Sequence, residues 1–188
     1  MFDSNKNGEE VEYMPTQERY RLQGRVYVEL RYCTKCSRNQ PLRAKHCRKC
    51  EHCIATHDHH CPWLGNCVGE RNKREFYLYL WFQQILLGLL TALALRLILI
   101  DKYKVVGWIF VVLGAVFSLF VLNLLVFHSY LLPRNITTWE LLSWSKVSYL
   151  REWPKHFGSP FDLGFSANLR QVFCYDLQPG NHFIWKMP

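Results

Sequence analysis

The sequence predicts a membrane protein that is mainly α, a two-helix transmembrane hairpin carrying a small cytosolic zinc-knuckle domain. Three observations predict it. Phe76–Ile100 and Val105–Leu132 are long apolar runs, the first with a single charge, Arg96, and the second with none. Seven of the eight cysteines fall between Cys33 and Cys67. The first 40 residues contain no apolar h-region, so the dense cysteines point to metal ligation in a reducing compartment rather than to a disulfide framework.

Composition supports the division. A hydrophobic content of 49% with 20% charged residues excludes a disordered tail. The charge is unevenly spread, because Phe76–Leu132 hold only Arg96, Asp101, Lys102 and Lys104. The net charge is +8, and residues 1–75 carry 14 Lys/Arg against 10 Asp/Glu, many of the cations beside the cysteines. Such a patch is compatible with nucleic acid, anionic head groups or ligand phosphates.

Residues 1–30 read as a polar, mobile lead-in with breaks at Pro15 and Gly24 and a short strand near Val26–Leu30. Residues 31–75 form the cysteine-rich domain, which has no apolar period long enough to build a core. Residues 76–132 are the hairpin, with spans at 76–100 and 105–132. At about 1.5 Å per residue, either span exceeds a hydrocarbon thickness of about 30 Å. Both are apolar around the whole circumference, unlike a helix on a soluble core. The link Asp101–Lys104 is short, so both flanks lie on one side of the membrane. Arg71, Lys73, Arg74 and Arg134 favour the cytosol for that side. Gln83, Gln84, Asn123 and His128 are costly in lipid and are expected to face a helix neighbour. Residues 133–188 are a polar, aromatic-rich tail with an amphipathic helix expected over Ile136–Leu150. No internal repeat is evident.

The cysteine spacing carries the chemistry. Cys33-x2-Cys36 is followed by His46-Cys47-x2-Cys50-x2-Cys53, then His60 and Cys67. A Cys-x2-Cys pair lets two thiolates meet one tetrahedral ion, as zinc requires. Seven cysteines allow one four-thiolate site plus one Cys3His site, or two Cys3His sites with one cysteine left over. Cys61 is the interesting spare, because His59 and Asp58 stand beside it. An imidazole next to a thiol lowers its effective pKa, and a carboxylate orients the imidazole. The competing reading makes Asp58, His59 and Cys61 ligands or their supports.

Asp58-His59-His60-Cys61-Pro62-Trp63 with Asn66-Cys67-Val68-Gly69 closely resembles the DHHC family of protein S-acyltransferases (palmitoyltransferases). Thr137-Thr138-Trp139-Glu140 looks like its TTxE motif, and Pro160-Phe161-Asp162, Asn168 and Phe173 are similar to its C-terminal amphipathic motif. The resemblance implies two structural zinc ions, one on Cys33, Cys36, His46 and Cys53 and the other on Cys47, Cys50, His60 and Cys67. It implies Cys61 as nucleophile, His59 as base and Asp58 as its orienter. It further implies palmitoyl-CoA or another acyl-CoA as donor and cysteines of membrane-associated proteins as acceptors. The active site would face the cytosol from a Golgi or endoplasmic reticulum membrane. The partners expected are then acyl-CoA, protein substrates and the bilayer, not nucleic acid. Arg71, Lys73 and Arg74, with Arg43 and Lys45, are candidates for the CoA phosphates, and His57 lies outside the motif as an exposed loop residue. Family members usually have four spans, so the resemblance also implies an upstream pair absent from this sequence. The rival function is a non-catalytic, membrane-anchored zinc adaptor, or an inactive short form.

Overall fold

The computed structural model describes residues 31–151 and 153–174, and the backbone of 19–22 and 26–29. Strands β1 (Arg19–Leu22) and β2 (Val26–Glu29) pair antiparallel, with Arg19 opposite Glu29. The strand expected near Val26 is therefore present. The rest of the lead-in lies outside the described residues.

Three small hairpins follow: β3 (Tyr32–Cys33) with β4 (Arg38–Asn39), β5 (Lys45–Cys47) with β6 (His52–Ile54), and β7 (His59–Cys61) with β8 (Asn66–Val68). They are copies of one unit. In each, the first strand ends on a cysteine that pairs with the residue five positions later: Cys33 with Arg38, Cys47 with His52, Cys61 with Asn66. Each turn closes through a left-handed residue at the same place, Ser37 (φ 50°), Glu51 (φ 58°) and Gly65 (φ 60°). The expectation of no internal repeat is thus corrected. The repeat escapes hydrophobic patterning because only the ligand positions and one backbone dihedral recur. Gly69 follows the third copy, where a Cβ would lie 2.6 Å from the Ala55 carbonyl oxygen and 2.7 Å from Ile54 Cγ2. No larger residue fits there without separating the second and third hairpins.

Helix α1 (Lys73–Ile98) starts three residues before the apolar run. Asn72 explains the early start. Its side chain accepts from the Gly69 amide at 2.9 Å and donates to the Cys67 carbonyl at 2.9 Å, joining the helix to the third hairpin. A 3-10 turn at Asp101–Tyr103 reverses the chain into α2 (Lys104–Leu131). The two helices run antiparallel, with Tyr77 Oη 2.8 Å from Ser129 Oγ and Gln84 Nε2 donating to Ser118 Oγ at 2.7 Å. Gln84 therefore faces its helix neighbour as expected. Asn123 does not; it is exposed and donates to the Leu119 carbonyl of its own helix. The outer faces, including Phe82, Leu89, Val105 and Leu119, are apolar and uncovered. Both helices are long and apolar enough to cross a bilayer.

Beyond α2, a 3-10 turn (Leu132–Arg134) leads to α3 (Thr138–Leu142), and α4 (Phe165–Phe173) ends the described chain. The single helix expected over Ile136–Leu150 is broken after Leu142. Trp144, Val147 and Leu150 turn inward there, onto Leu42, Leu131 and Trp153. The Trp144 indole donates to the Trp153 carbonyl at 3.1 Å, which a continuous surface helix could not offer. Asn168 pins α4 by donating to the Pro133 carbonyl at 2.7 Å and to Asp162 Oδ1 at 2.6 Å.

Close helix approach rests on small residues. A Cβ on Gly107 would meet Ile98 Cγ1 at 2.7 Å and the Ala94 carbonyl oxygen at 3.0 Å. Gly107→Val is expected to force the hairpin apart and destabilise it by about 1–3 kcal/mol. Denaturation of detergent-solubilised protein would read that loss, while Gly88→Val, where a Cβ meets nothing within 4 Å, should be far milder.

Candidate active site

The hairpin repeat explains how eight ligands gather into two groups. The first hairpin offers Cys33 and Cys36 from its turn, and the second offers His46 and Cys53, which face each other across its ladder. The second turn in turn offers Cys47 and Cys50 to His60 and Cys67, the same cross-strand pair one copy later. His46 Nδ1 stands 3.5, 3.3 and 4.0 Å from the sulfurs of Cys33, Cys36 and Cys53. His60 Nδ1 stands 3.7, 3.4 and 3.6 Å from those of Cys47, Cys50 and Cys67. Tetrahedral zinc with bonds of about 2.3 Å to sulfur and about 2.0 Å to nitrogen needs N···S edges of about 3.5 Å. Both groups fit such an ion. Burial first, then the facing sulfurs of Cys47 and Cys50, pushes the Cys67 thiol far above its ordinary value. A divalent cation bound there would favour the thiolates and neutralise their charge.

Cys61 belongs to neither group. The third turn has Leu64 where the other two have their second cysteine, and Cys61 is buried against Phe76 and Val121. Next to it, His59 Nδ1 donates to Asp58 Oδ2 at 2.7 Å. A carboxylate only accepts, so Nδ1 carries the proton and Nε2 is left as the free basic nitrogen. Asp58 is 1% exposed, and burial alone would raise its carboxyl pKa. The His59 hydrogen bond, the Lys73 charge and the Thr138 amide (2.9 Å from Oδ1) outweigh burial and hold it well below the carboxylate range.

The Thr138 amide is aimed by its own helix start. Thr137 caps α3, accepting from the Glu140 amide at 3.1 Å, while Glu140 Oε2 accepts from the Thr137 amide at 2.8 Å. The same carboxylate takes a bidentate hold from Arg43, with Nε–Oε1 and Nη2–Oε2 both 2.7 Å. Arg43 also donates to Asn135 Oδ1 at 2.8 Å and lies over the Phe161 ring at 4.2 Å. Burial alone would raise the Glu140 carboxyl pKa; the Arg43 charge reverses this and lowers it.

A cavity of about 510 Å³ opens beside these groups between the third hairpin, α1 and α2. Cys61, His59, His128 and Thr138 stand in its wall, and Phe76, Leu80, Phe117, Val121 and Leu124 line much of the rest. The volume suits a ligand of drug or lipid-tail size. Trp63, 74% exposed, flanks it edge-on to Phe120 at 6.5 Å.

The DHHC palmitoyltransferase family model matches residues 26–145, well over half of the chain. The chain belongs to the DHHC palmitoyltransferase family. Palmitoyltransferase ZDHHC12 of Homo sapiens is 44% identical over 154 residues, which are 78% of this chain and 57% of that relative. Palmitoyltransferase ZDHHC9 of Bos taurus is 32% identical over 165 residues, 81% of this chain and 44% of the relative. Protein S-acyltransferase 8 of Arabidopsis thaliana is 30% identical over 170 residues, 84% and 40% respectively. The chain thus spans little more than half the length of ZDHHC12.

Within this DHHC domain, the structure brings the eight expected ligands into two clusters and sets Asp58, His59 and Cys61 together. It corrects several of the proposed phosphate contacts. Lys73 is 7% exposed and turned towards Asp58, so its ammonium is not presented to a ligand phosphate. Arg43 is withdrawn into the Glu140 pair, and Lys45 lies over the Trp139 ring with Nζ 3.0 Å from the centroid. Arg74 donates to Glu75 at 3.1 Å and to the Phe173 carbonyl at 3.3 Å, while Arg71 is exposed. His57 is buried rather than exposed, edge-on to Trp139, and burial and the Lys45 charge lower its pKa to about 4. His128 was expected to face a helix neighbour, and it does, edge-on to Phe76 of α1 at 5.0 Å. It is buried with its ring centroid 5.8 Å from that of His59. The signal available was a titratable residue nine positions before Thr137, within an otherwise apolar span.

Breaking the Arg43 pair from one side should be severe. Glu140→Gln leaves the guanidinium buried and under-compensated, at an expected cost of about 3–5 kcal/mol. A thermal melt of the purified protein would register it, and activity should fall too because the Thr138 amide loses its aim.

Proposed function

We propose that this chain is a protein-cysteine S-palmitoyltransferase, moving a long-chain acyl group from acyl-CoA through a Cys61 thioester to cysteines of membrane-associated proteins. The observation that carries this reading is the Asp58–His59 hydrogen bond of 2.7 Å beside Cys61, at the wall of an apolar cavity between two bilayer-length helices.

In the first half-reaction, His59 Nε2 takes the Cys61 proton and the thiolate attacks the thioester carbonyl carbon. The bond to the CoA sulfur breaks, and the departing thiolate recovers the proton from His59. The second half-reaction runs the same sequence with an acceptor cysteine thiol, which His59 deprotonates as it attacks the acyl-Cys61 carbonyl. Asp58 stays ionised, keeps Nδ1 protonated and stabilises the imidazolium. The acyl chain occupies the cavity, gaining about 0.8 kcal/mol per buried CH2. Arg71 is the best placed of the expected cations to meet a CoA phosphate, since it is exposed and follows the third hairpin.

Zinc ions on the two clusters would fix the hairpins and supply folding free energy, a structural role suited to closed four-ligand sites. The site would face the cytosol, with the protein multi-pass in a Golgi or endoplasmic reticulum membrane. A glycosylation acceptor placed in an extended 101–104 link should therefore be modified, and acceptors near either end of the chain should not.

Incubation with labelled palmitoyl-CoA should place a hydroxylamine-labile label on Cys61. Cys61→Ser is expected to abolish the label while two zinc ions per chain are retained, because both clusters are complete without it. His59→Ala should slow labelling on the order of 10²–10⁴-fold with metal unchanged. His60→Ala, one residue away, should lose metal and fold. Loss of zinc from Cys61→Ser would sink the assignment.

A further inference from the structure

Two polar groups in the cavity wall have no part in the steps above. His128 is 3% exposed and projects from the last turn of α2. Among the described residues, no hydrogen bond engages its ring. Phe76 and Phe127 stand edge-on to it at 5.0 and 5.7 Å, and the tilted His59 ring is 5.8 Å away. The Thr138 hydroxyl is also buried, and its Oγ1 has no hydrogen-bond partner. Both residues line the cavity with Cys61. A buried polar group without a partner costs about 1–3 kcal/mol, and an imidazole in a membrane helix is expensive in its own right. These two groups, one an unpartnered hydroxyl and the other an imidazole, stand at the Cys61 end of a mainly apolar cavity and can donate to a ligand that accepts hydrogen bonds.

A metal ion does not answer that need. Asp58, His59 and His128 bring donor atoms within 4.8 Å of one another. An ion there would compete with the hydrogen bonds that Asp58 already accepts, Oδ1 from the Thr138 amide and Oδ2 from His59. The charge that must be accommodated here arises during the reaction itself. When Sγ of Cys61 bonds to the thioester carbon, the carbonyl π pair moves onto oxygen. Beside an apolar wall the oxyanion is best stabilised by protein donors until the pair returns and the bond to the leaving sulfur breaks. An imidazole carries at least one N–H in either protonation state, and a hydroxyl carries one O–H.

We propose that the His128 imidazole N–H and the Thr138 hydroxyl together form the site that receives the thioester carbonyl oxygen and stabilises the oxyanion. This rests on the transferase reading and adds two catalytic residues to it. Both half-reactions pass through the same kind of intermediate, so the site serves each. Thr138 then has two separable roles, its amide fixing Asp58 and its hydroxyl meeting the substrate.

The test compares two reactions of the same thiol. Cys61 acylation by palmitoyl-CoA forms an oxyanion; Cys61 alkylation by iodoacetamide displaces iodide and forms none. In His128→Leu and Thr138→Val, acylation should fall on the order of 10²–10³-fold each, as for loss of one oxyanion donor. Alkylation of Cys61, followed by mass spectrometry, should keep the wild-type rate, and zinc content should be unchanged. His128→Gln, which restores an N–H, should recover part of the acylation rate. Thr138→Val preserves volume and the amide to Asp58, and it carries the test should His128→Leu lose its metals. Acylation at the wild-type rate in both variants overturns the assignment. So does an alkylation rate that falls in step with acylation, which would mean these residues act through His59 and the thiolate. A wild-type chain that takes no label at Cys61 overturns the transferase reading, and the oxyanion site with it.

Discussion

Arg43 and Glu140 meet away from water, 97 residues apart in sequence, and the geometry of the site depends on that meeting. Arg43 sits in the loop between the first and second hairpins, while Glu140 lies in the first turn of the short helix beyond α2. Taking both charges out of water is expensive, and Coulomb attraction offsets it only when the remaining hydrogen-bonding capacity is filled. Here it is filled. Glu140 also accepts from the Thr137 amide and the Tyr149 hydroxyl, and Arg43 from its other edge reaches Asn135. The pair fixes register between two parts of the chain that also meet through Leu42, Lys45 and His57. Its product is one amide, that of Thr138, held against Asp58.

The metal-binding hairpins solve a different problem. A segment with no apolar core must hold a buried thiol steadily beside a histidine. The chain does so by repeating one unit three times, with ligands handed from each copy to the next. The third copy keeps the strand pairing and the left-handed turn residue but carries Leu64 and Gly65 after Cys61. Cys61 is therefore held by a ligand-type scaffold while both ligand sets close without it. His59 and His60, neighbours on one strand, point to opposite faces because side chains alternate along β structure. One face meets the second cluster and the other meets Asp58 and the cavity.

The helices contribute the wall and the exit. Asn72 ties α1 to the third hairpin, small residues bring α1 and α2 together, and Asn168 locks α4 against the end of α2. Apolar side chains from both helices line much of the cavity beside Cys61. Polar residues of the spans divide accordingly. Gln84 bonds across the hairpin, Asn123 bonds back to its own helix, and His128 lines the cavity beside His59.

Much of this was legible in the sequence, for a physical reason. Metal ligation is local: Cys-x2-Cys turns and a histidine seven residues before a cysteine encode their own geometry, whatever surrounds them. Bilayer spans are equally local, since length and lack of charge suffice. The nature of the site followed from Asp58, His59 and Cys61 standing together on one short stretch. The cations were not legible. Arg43, Lys45, Arg71, Lys73 and Arg74 look alike in a sequence rich in positive charge, yet one is buried in an ion pair, one on an indole and one against Asp58. His57 was misread for the same reason. Burial and partner decide what a titratable side chain does, and for Arg43, Lys45 and His57 the partner comes from a segment more than 80 residues away, which only the tertiary structure brings together.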